Sequence, residues 1–171
     1  MKLNFYLTFL TATFPLVIGF IWYNPKVLGT VWMNAAGIKA DDSKPNMVLV
    51  FGLTYILGLI LSLSMYQVTI HQMGLTAMFQ GNPDVFLTHD KLNPNTPIGQ
   101  NVITLLKEYG TNFRSFKHGA LHGTIMAVLF AFPILAINAL FERKGAKYIF
   151  IHLGYWVITI ALMGGVICGW A

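Results

Sequence analysis

Four stretches of this chain read as apolar helices, and polar turns separate them. A helix needs roughly 20 mostly apolar residues to cross the hydrocarbon of a bilayer. The first stretch runs from about Asn4 to Tyr23, and the second from about Met47 to Val68, with a pattern that can extend to Met73. The third runs from about His118 to Phe141 and the fourth from about Tyr148 to Trp170. None contains an Asp, Glu, Lys or Arg. Backbone groups in lipid must be satisfied within the segment, so each stretch is expected to be helical. Pro15 and Pro133 fall inside the first and third stretches. Each removes a backbone donor and is expected to bend its helix.

The connections carry their own signals. Asn24-Pro25 reads as a helix cap followed by a first-turn proline. Val27, Leu28, Val31, Trp32 and Ala35 then recur at helical spacing, and Gly37 is a fitting stop. This predicts a short helix lying in the membrane interface, anchored by Trp32 and Met33. Residues 39–45 form a polar turn into the second stretch. The long connection, about Gly74 to Lys117, has turns at Asn82-Pro83-Asp84 and Asn93-Pro94-Asn95. Thr96-Pro97 starts a helix ending at Gly110, in which Val102, Leu105, Leu106 and Tyr109 share a face. Glu142 to Lys147 is a tight polar turn, so the last two spans are antiparallel neighbours.

Composition agrees with this pattern. Of 171 residues, 56% are hydrophobic and 10% charged, against about 25% charged in soluble domains. The mean hydropathy is +0.62. An ordinary soluble domain and a disordered chain are both excluded. The expected fold is all-α: one integral membrane domain over residues 1–171, a four-helix bundle with a short interfacial helix and a partly helical extramembrane insertion at 74–117. Lys2 gives a basic start, but Ile21-Trp22-Tyr23-Asn24-Pro25 offers no small-residue cleavage site, so the first span is expected to be retained.

The net charge is +5. The basic residues flank the apolar runs rather than forming one stripe, so they point to membrane lipids as partners and not to nucleic acid. Four spans place both termini and the 74–117 segment on one face. The opposite face carries Lys26, Lys39, Lys44, Arg143, Lys144 and Lys147, against Lys2, Lys107, Arg114 and Lys117 on the first. This excess favours non-cytoplasmic termini. Cys168 is the only cysteine. It allows no internal disulfide and no cysteine-based zinc site, and reads as a small buried hydrophobe.

Polar residues at membrane depth mark candidate sites. His118 and His122 are four apart on one helix face, and His71 lies at similar depth at the end of the second span. Imidazole suits zinc, copper and haem iron, so the three are candidate metal or haem ligands. The plainer alternative is hydrogen bonding beside a close helix contact made by Gly119 and Gly123. His89 can join only if its segment folds back. His152 belongs elsewhere, roughly 15–20 Å away across a core of about 30 Å. At its end lie Trp22, Tyr23, Trp32, Asn138, Glu142, Arg143, Tyr155 and Trp156. They form either an interfacial aromatic belt or a pocket for a headgroup, a quinone-like ring or a partner helix. Gly165 and Gly169 form a G-x-x-x-G for packing within or between chains.

Gly19-Phe20-Ile21-Trp22-Tyr23-Asn24-Pro25, Gly29 and Trp32-Met33 resemble the opening of domain-of-unknown-function family 1761, small bacterial integral membrane proteins. Asn138-Ala139-Leu140-Phe141-Glu142-Arg143, Gly154-Tyr155-Trp156 and Met163-Gly164-Gly165 resemble its ending. The resemblance covers the first span with its connection and the last two spans. It implies a four-helix domain in a bacterial inner membrane and supplies no catalytic residues. The 74–117 segment is longer than the compact pattern of that family.

Three kinds of function stay open on the sequence. The first is a structural or accessory component, in a homo-oligomer or a larger membrane complex. The second is a small-molecule binder or transporter using Asn138, Glu142 and His152. The third is metal or haem binding by His71, His118 and His122. No phosphate loop and no Ser/His/Asp set is legible, so the sequence leans away from an enzyme.

Overall fold

A computed structural model describes residues 3–39, 45–88 and 90–171. Lys2, His89 and residues 40–44 of the polar turn lie outside the described residues. Within them the regular elements are helices, with one isolated antiparallel bridge between Phe86 and Leu92.

The centre is a hairpin of long helices. Helix α7 (Phe116–Met126) passes through a π-turn (Ala127–Ala131) into α8 (Phe132–Phe141), and α9 spans Ala146–Trp170. The Ser115 side chain caps α7, accepting from the His118 amide at 3.3 Å. Pro133 sits in the first turn of α8, directly after the π-turn. The wider turn absorbs the donor that proline lacks. Between α8 and α9, Arg143 takes a left-handed φ of 57°. The Lys144 amide returns to the Ala139 carbonyl at 2.8 Å, closing the turn.

Glycines let α7 and α9 approach backbone to backbone. A Cβ on Gly119 would fall on the Gly164 carbonyl, and one on Gly123 on the Ile160 carbonyl. Gly165 and Gly169 lie against Phe116 of the same chain. Both small-residue faces are thus occupied within the molecule.

The other spans lean on this hairpin. Helix α4 (Met47–Thr69) is capped by Asn46, whose side chain accepts from Val48 and Leu49. The first stretch, expected to bend at Pro15, is two helices, α1 (Tyr6–Thr11) and α2 (Phe14–Trp22). Pro15, in the first turn of α2, cannot donate to the Thr11 carbonyl, and the chain breaks there. Gly58 of α4 packs on the Ala12 backbone at that break. Beside it the buried Thr11 and Ser62 hydroxyls meet at 2.6 Å. Thr11→Val is therefore expected to lower stability by about 0.6–1 kcal/mol, measured by unfolding in detergent. Met65, Tyr66, Ile70, Ala127, Ile160, Met163 and Ile167 form the shared core.

Three helices are long and apolar enough to cross a membrane: Met47–Thr69, Phe116–Phe141 and Ala146–Trp170. A fourth is added if Tyr6–Trp22 and Pro25–Ala36, bent by 54°, count as one span. Val48, Phe51, Leu57 and Ile60 of α4 face outward, as lipid contact requires.

The expected connection after α2 forms with one difference. Asn24 caps it through the Lys26 amide at 2.9 Å. It opens as a π-turn (Pro25–Gly29) before α3 (Thr30–Ala36). The Gly29 amide reaches the Asn24 carbonyl at 2.9 Å. A side chain at Gly29 would strike the Tyr23 carbonyl, so only glycine fits. Gly37 ends α3 at a φ of 77°. Lys144 donates to the Ala36 carbonyl, fastening that end to the α8–α9 turn.

The second span stops at Thr69. Ile70, extended at φ −109° and ψ 92°, separates α4 from α5 (His71–Met78), so the helical run toward Met73 is interrupted. In the segment that follows, Asn93 holds the turns together. It donates to the Pro83 carbonyl at 2.9 Å and accepts from the Asn95 amide at 3.0 Å. Thr96 caps α6 (Pro97–Tyr109) through the Gly99 amide. Val102 is buried, whereas Leu105 and Tyr109 on its face are exposed.

Candidate metal centre

The break at Ile70 places His71 as the first residue of α5. There it meets the two histidines of α7. One ligating nitrogen from each of His71, His118 and His122 lies within 4.8 Å of the other two. The Nε2 atoms of His71 and His118 are 2.9 Å apart. Two lone pairs cannot meet at that distance, so a proton sits between them, and a bound metal would take its place. Two nitrogens on one zinc ion lie about 3.3 Å apart, given Zn–N near 2.0–2.1 Å. The three nitrogens, within 4.8 Å of one another, stand near that spacing. The set is three imidazoles with no carboxylate or thiolate among the described residues. Such donors suit zinc, copper or nickel better than magnesium or calcium.

The surroundings hold the triad from below. Phe113, at a left-handed φ of 61°, lays its ring 5.1 Å from that of His118 and 6.4 Å from that of His71. A non-glycine residue in that region carries strain, which clusters at functional sites. The fully buried Cys168 points its thiol at the carbonyls of Thr69 and Phe113, each at 3.3 Å. Arg114 donates to the carbonyls of Cys168 and Ala171 at the end of α9. Gln72, next to His71, gives its amide to the Tyr109 and Asn112 carbonyls at 3.0 and 2.9 Å. Cys168 is therefore a hydrogen-bonding tie as well as the small apolar filler expected of it. Sequence reasoning missed Gln72, Phe113 and Arg114. Only the position of Arg114 beside a span was a signal.

His152 is far from this centre. Gly123 faces Ile160 and Ala161, and His152 lies about nine residues back along α9, roughly 13 Å of rise. Both its nitrogens are engaged. Trp32 Nε1 donates to His152 Nε2 at 3.2 Å, and the Tyr23 hydroxyl meets Nδ1 at 3.0 Å. Indole can only donate, so Nε2 accepts, and the neutral ring carries its proton on Nδ1. Trp22 Nε1 donates to the Ile151 carbonyl, with its ring on Gly154, and the Tyr155 hydroxyl donates to Pro15. The structure thus gathers Tyr23, Trp32, His152, Tyr155 and Trp156 into one ring-packed hub, with Trp22 fastened beside it on α9. Trp32, expected as an interfacial anchor, turns its N–H inward to this hub. Asn138, Glu142 and Arg143 are exposed, and among the described residues they show no side-chain hydrogen bond to it.

An apolar cleft of about 590 Å³ opens between α4 and α8, with Tyr155 and Trp156 in its lining. The Thr54 and Ser64 hydroxyls there return to carbonyls of their own helix. The lining of the cleft is mainly apolar.

No curated protein and no solved structure matches the chain. The family model described as "Protein of unknown function (DUF1761)" matches residues 7–168, including the long segment after α4 that was set apart from the family pattern on sequence alone. The chain belongs to this family, and the triad, the hub and the helical hairpin are features of one of its members.

Proposed function

We propose that this protein is a metal-binding integral membrane protein whose centre is His71, His118 and His122. The observation that carries the reading is the convergence of three imidazole nitrogens within 4.8 Å from two separate helices. The centre takes one zinc, copper or nickel ion and leaves a coordination position open, since three protein ligands do not complete a tetrahedral shell. Haem is a poorer fit, because axial ligation uses one or two residues and these three crowd one point. A chain purified in mild detergent through a histidine-free tag, without chelator, is expected to carry about one metal equivalent by elemental analysis. A His118→Ala/His122→Ala pair should carry less than about a tenth of that. Stoichiometries that do not differ between the two proteins would sink the reading.

In the same reading the fold is a four-span bundle. Tyr6–Trp22 is the first span and Pro25–Ala36, bent away by 54°, runs along the interface. Both termini and the metal centre then share one face, and the lysine-rich turns put that face outside the cytoplasm. The accessory role finds less support, because the glycine faces that would recruit a second copy are filled from within the chain.

A further inference from the structure

We infer that the bound metal works as a clip for the extramembrane segment, so that the order of residues 72–117 depends on metal occupancy. The inference rests on the metal-binding reading above. His71 and His118 stand at the two ends of this segment. The packing of α4 and α7 on α9 already brings these ends together, and one ion bridging the two histidines adds a tie that holds α5 against α7. His122 adds affinity but closes nothing more, since it shares α7 with His118.

The segment needs such a clip. Its own buried apolar side chains are few, with Val85 and Val102 almost fully buried, and a unit this small cannot hold itself firmly. Its entrance is a single extended residue, Ile70, between two helices. Swinging α5 about that residue would part His71 from α7. The position of α5 is passed on by Gln72, 9% exposed, whose amide holds the Tyr109 and Asn112 carbonyls at the end of α6. Phe113 carries the chain from there onto the ring of His118. Occupancy at the triad therefore fixes α5, and α5 fixes the end of α6.

Amide hydrogen exchange of the full chain in detergent, with and without zinc chloride, tests this. With zinc a hundredfold above its dissociation constant, the closed form gains up to about a hundredfold in population. Exchange across α5 and residues 105–113 is expected to slow by about tenfold or more, while the middle of α9 stays unchanged. His71→Ala should abolish the slowing. Gln72→Ala should still bind about one zinc by equilibrium dialysis yet lose the slowing at 109–113. One bound zinc with unchanged exchange in the parent protein would overturn the clip and leave metal binding standing. Failure to bind any of zinc, copper and nickel would remove both. Full slowing in Gln72→Ala would show that the coupling does not run through that residue and would overturn the route argued here.

Discussion

Gly123→Leu is expected to cost about 3 kcal/mol or more of stability in detergent. A Cβ at Gly123 would lie 2.8 Å from the Ala161 Cα and nearer still to the Ile160 carbonyl. Both are backbone atoms of α9, so no rotamer change can make room. The helices must separate, and they carry the shared core through Ile160, Met163 and Ile167 with them. His122 precedes Gly123 and His118 precedes Gly119, so the same displacement moves two of the three metal ligands away from His71. Zinc affinity should fall together with the unfolding temperature. Gly52→Leu is the matched control, because a Cβ there meets nothing within 4 Å. Leucine is also the better helix former, so this variant should be as stable as the parent or slightly more so. Equal stability of the two variants would remove the claim that backbone contact at Gly123 organises the hairpin.

The features written locally in the chain were the ones the sequence disclosed. Apolar runs uninterrupted by charge gave the last three long apolar helices to within about two residues of their observed ends. The Asn24-Pro25 cap, the Gly37 stop and the Thr96 cap of α6 formed as their residue types predict. The histidine pair on α7 was legible because spacing by four on a helix fixes one face.

The rest depends on contacts between distant residues. Ile70 is an ordinary apolar residue with no glycine or proline beside it, yet it interrupts the helix and presents His71 to α7. Its side chain is fully buried in the core, a contact with distant residues that its own type does not announce. Trp32 reads from the sequence both as an interfacial anchor and as a member of the group around His152, and spacing on a short helix does not decide between them. The partner that draws it inward is His152, distant in sequence. Phe113 takes a positive φ that nothing in its residue type suggests. The π-turn before Pro133 is likewise one of several ways a helix can absorb a proline, and packing decides among them.

His152→Leu is expected to lower stability by about 2–3 kcal/mol while leaving zinc binding intact. The substitution preserves an apolar volume and deletes two hydrogen bonds. The Trp32 N–H, part-buried, loses its partner. An indole donor left unpaired away from water costs about 1–3 kcal/mol. Tyr23 loses the Nδ1 proton that its hydroxyl accepts, though that hydroxyl can still rotate to donate elsewhere. Since Trp32 is the tie that draws α3 onto α9 at this end, near-ultraviolet circular dichroism of the aromatic hub should weaken before the far-ultraviolet helical signal does. His152→Gln is the informative partner variant. Its amide offers one acceptor and one donor on a similar stem, so it should recover part of the lost stability. The metal centre, on the opposite side of the hairpin's midpoint, shares no ligand with the hub, so effects at the two should add. A His152→Leu protein with parental stability would mean that the hub is held by ring packing alone. A variant that lost zinc along with stability would mean that the two ends of the bundle are coupled, against the separation that the helical register imposes.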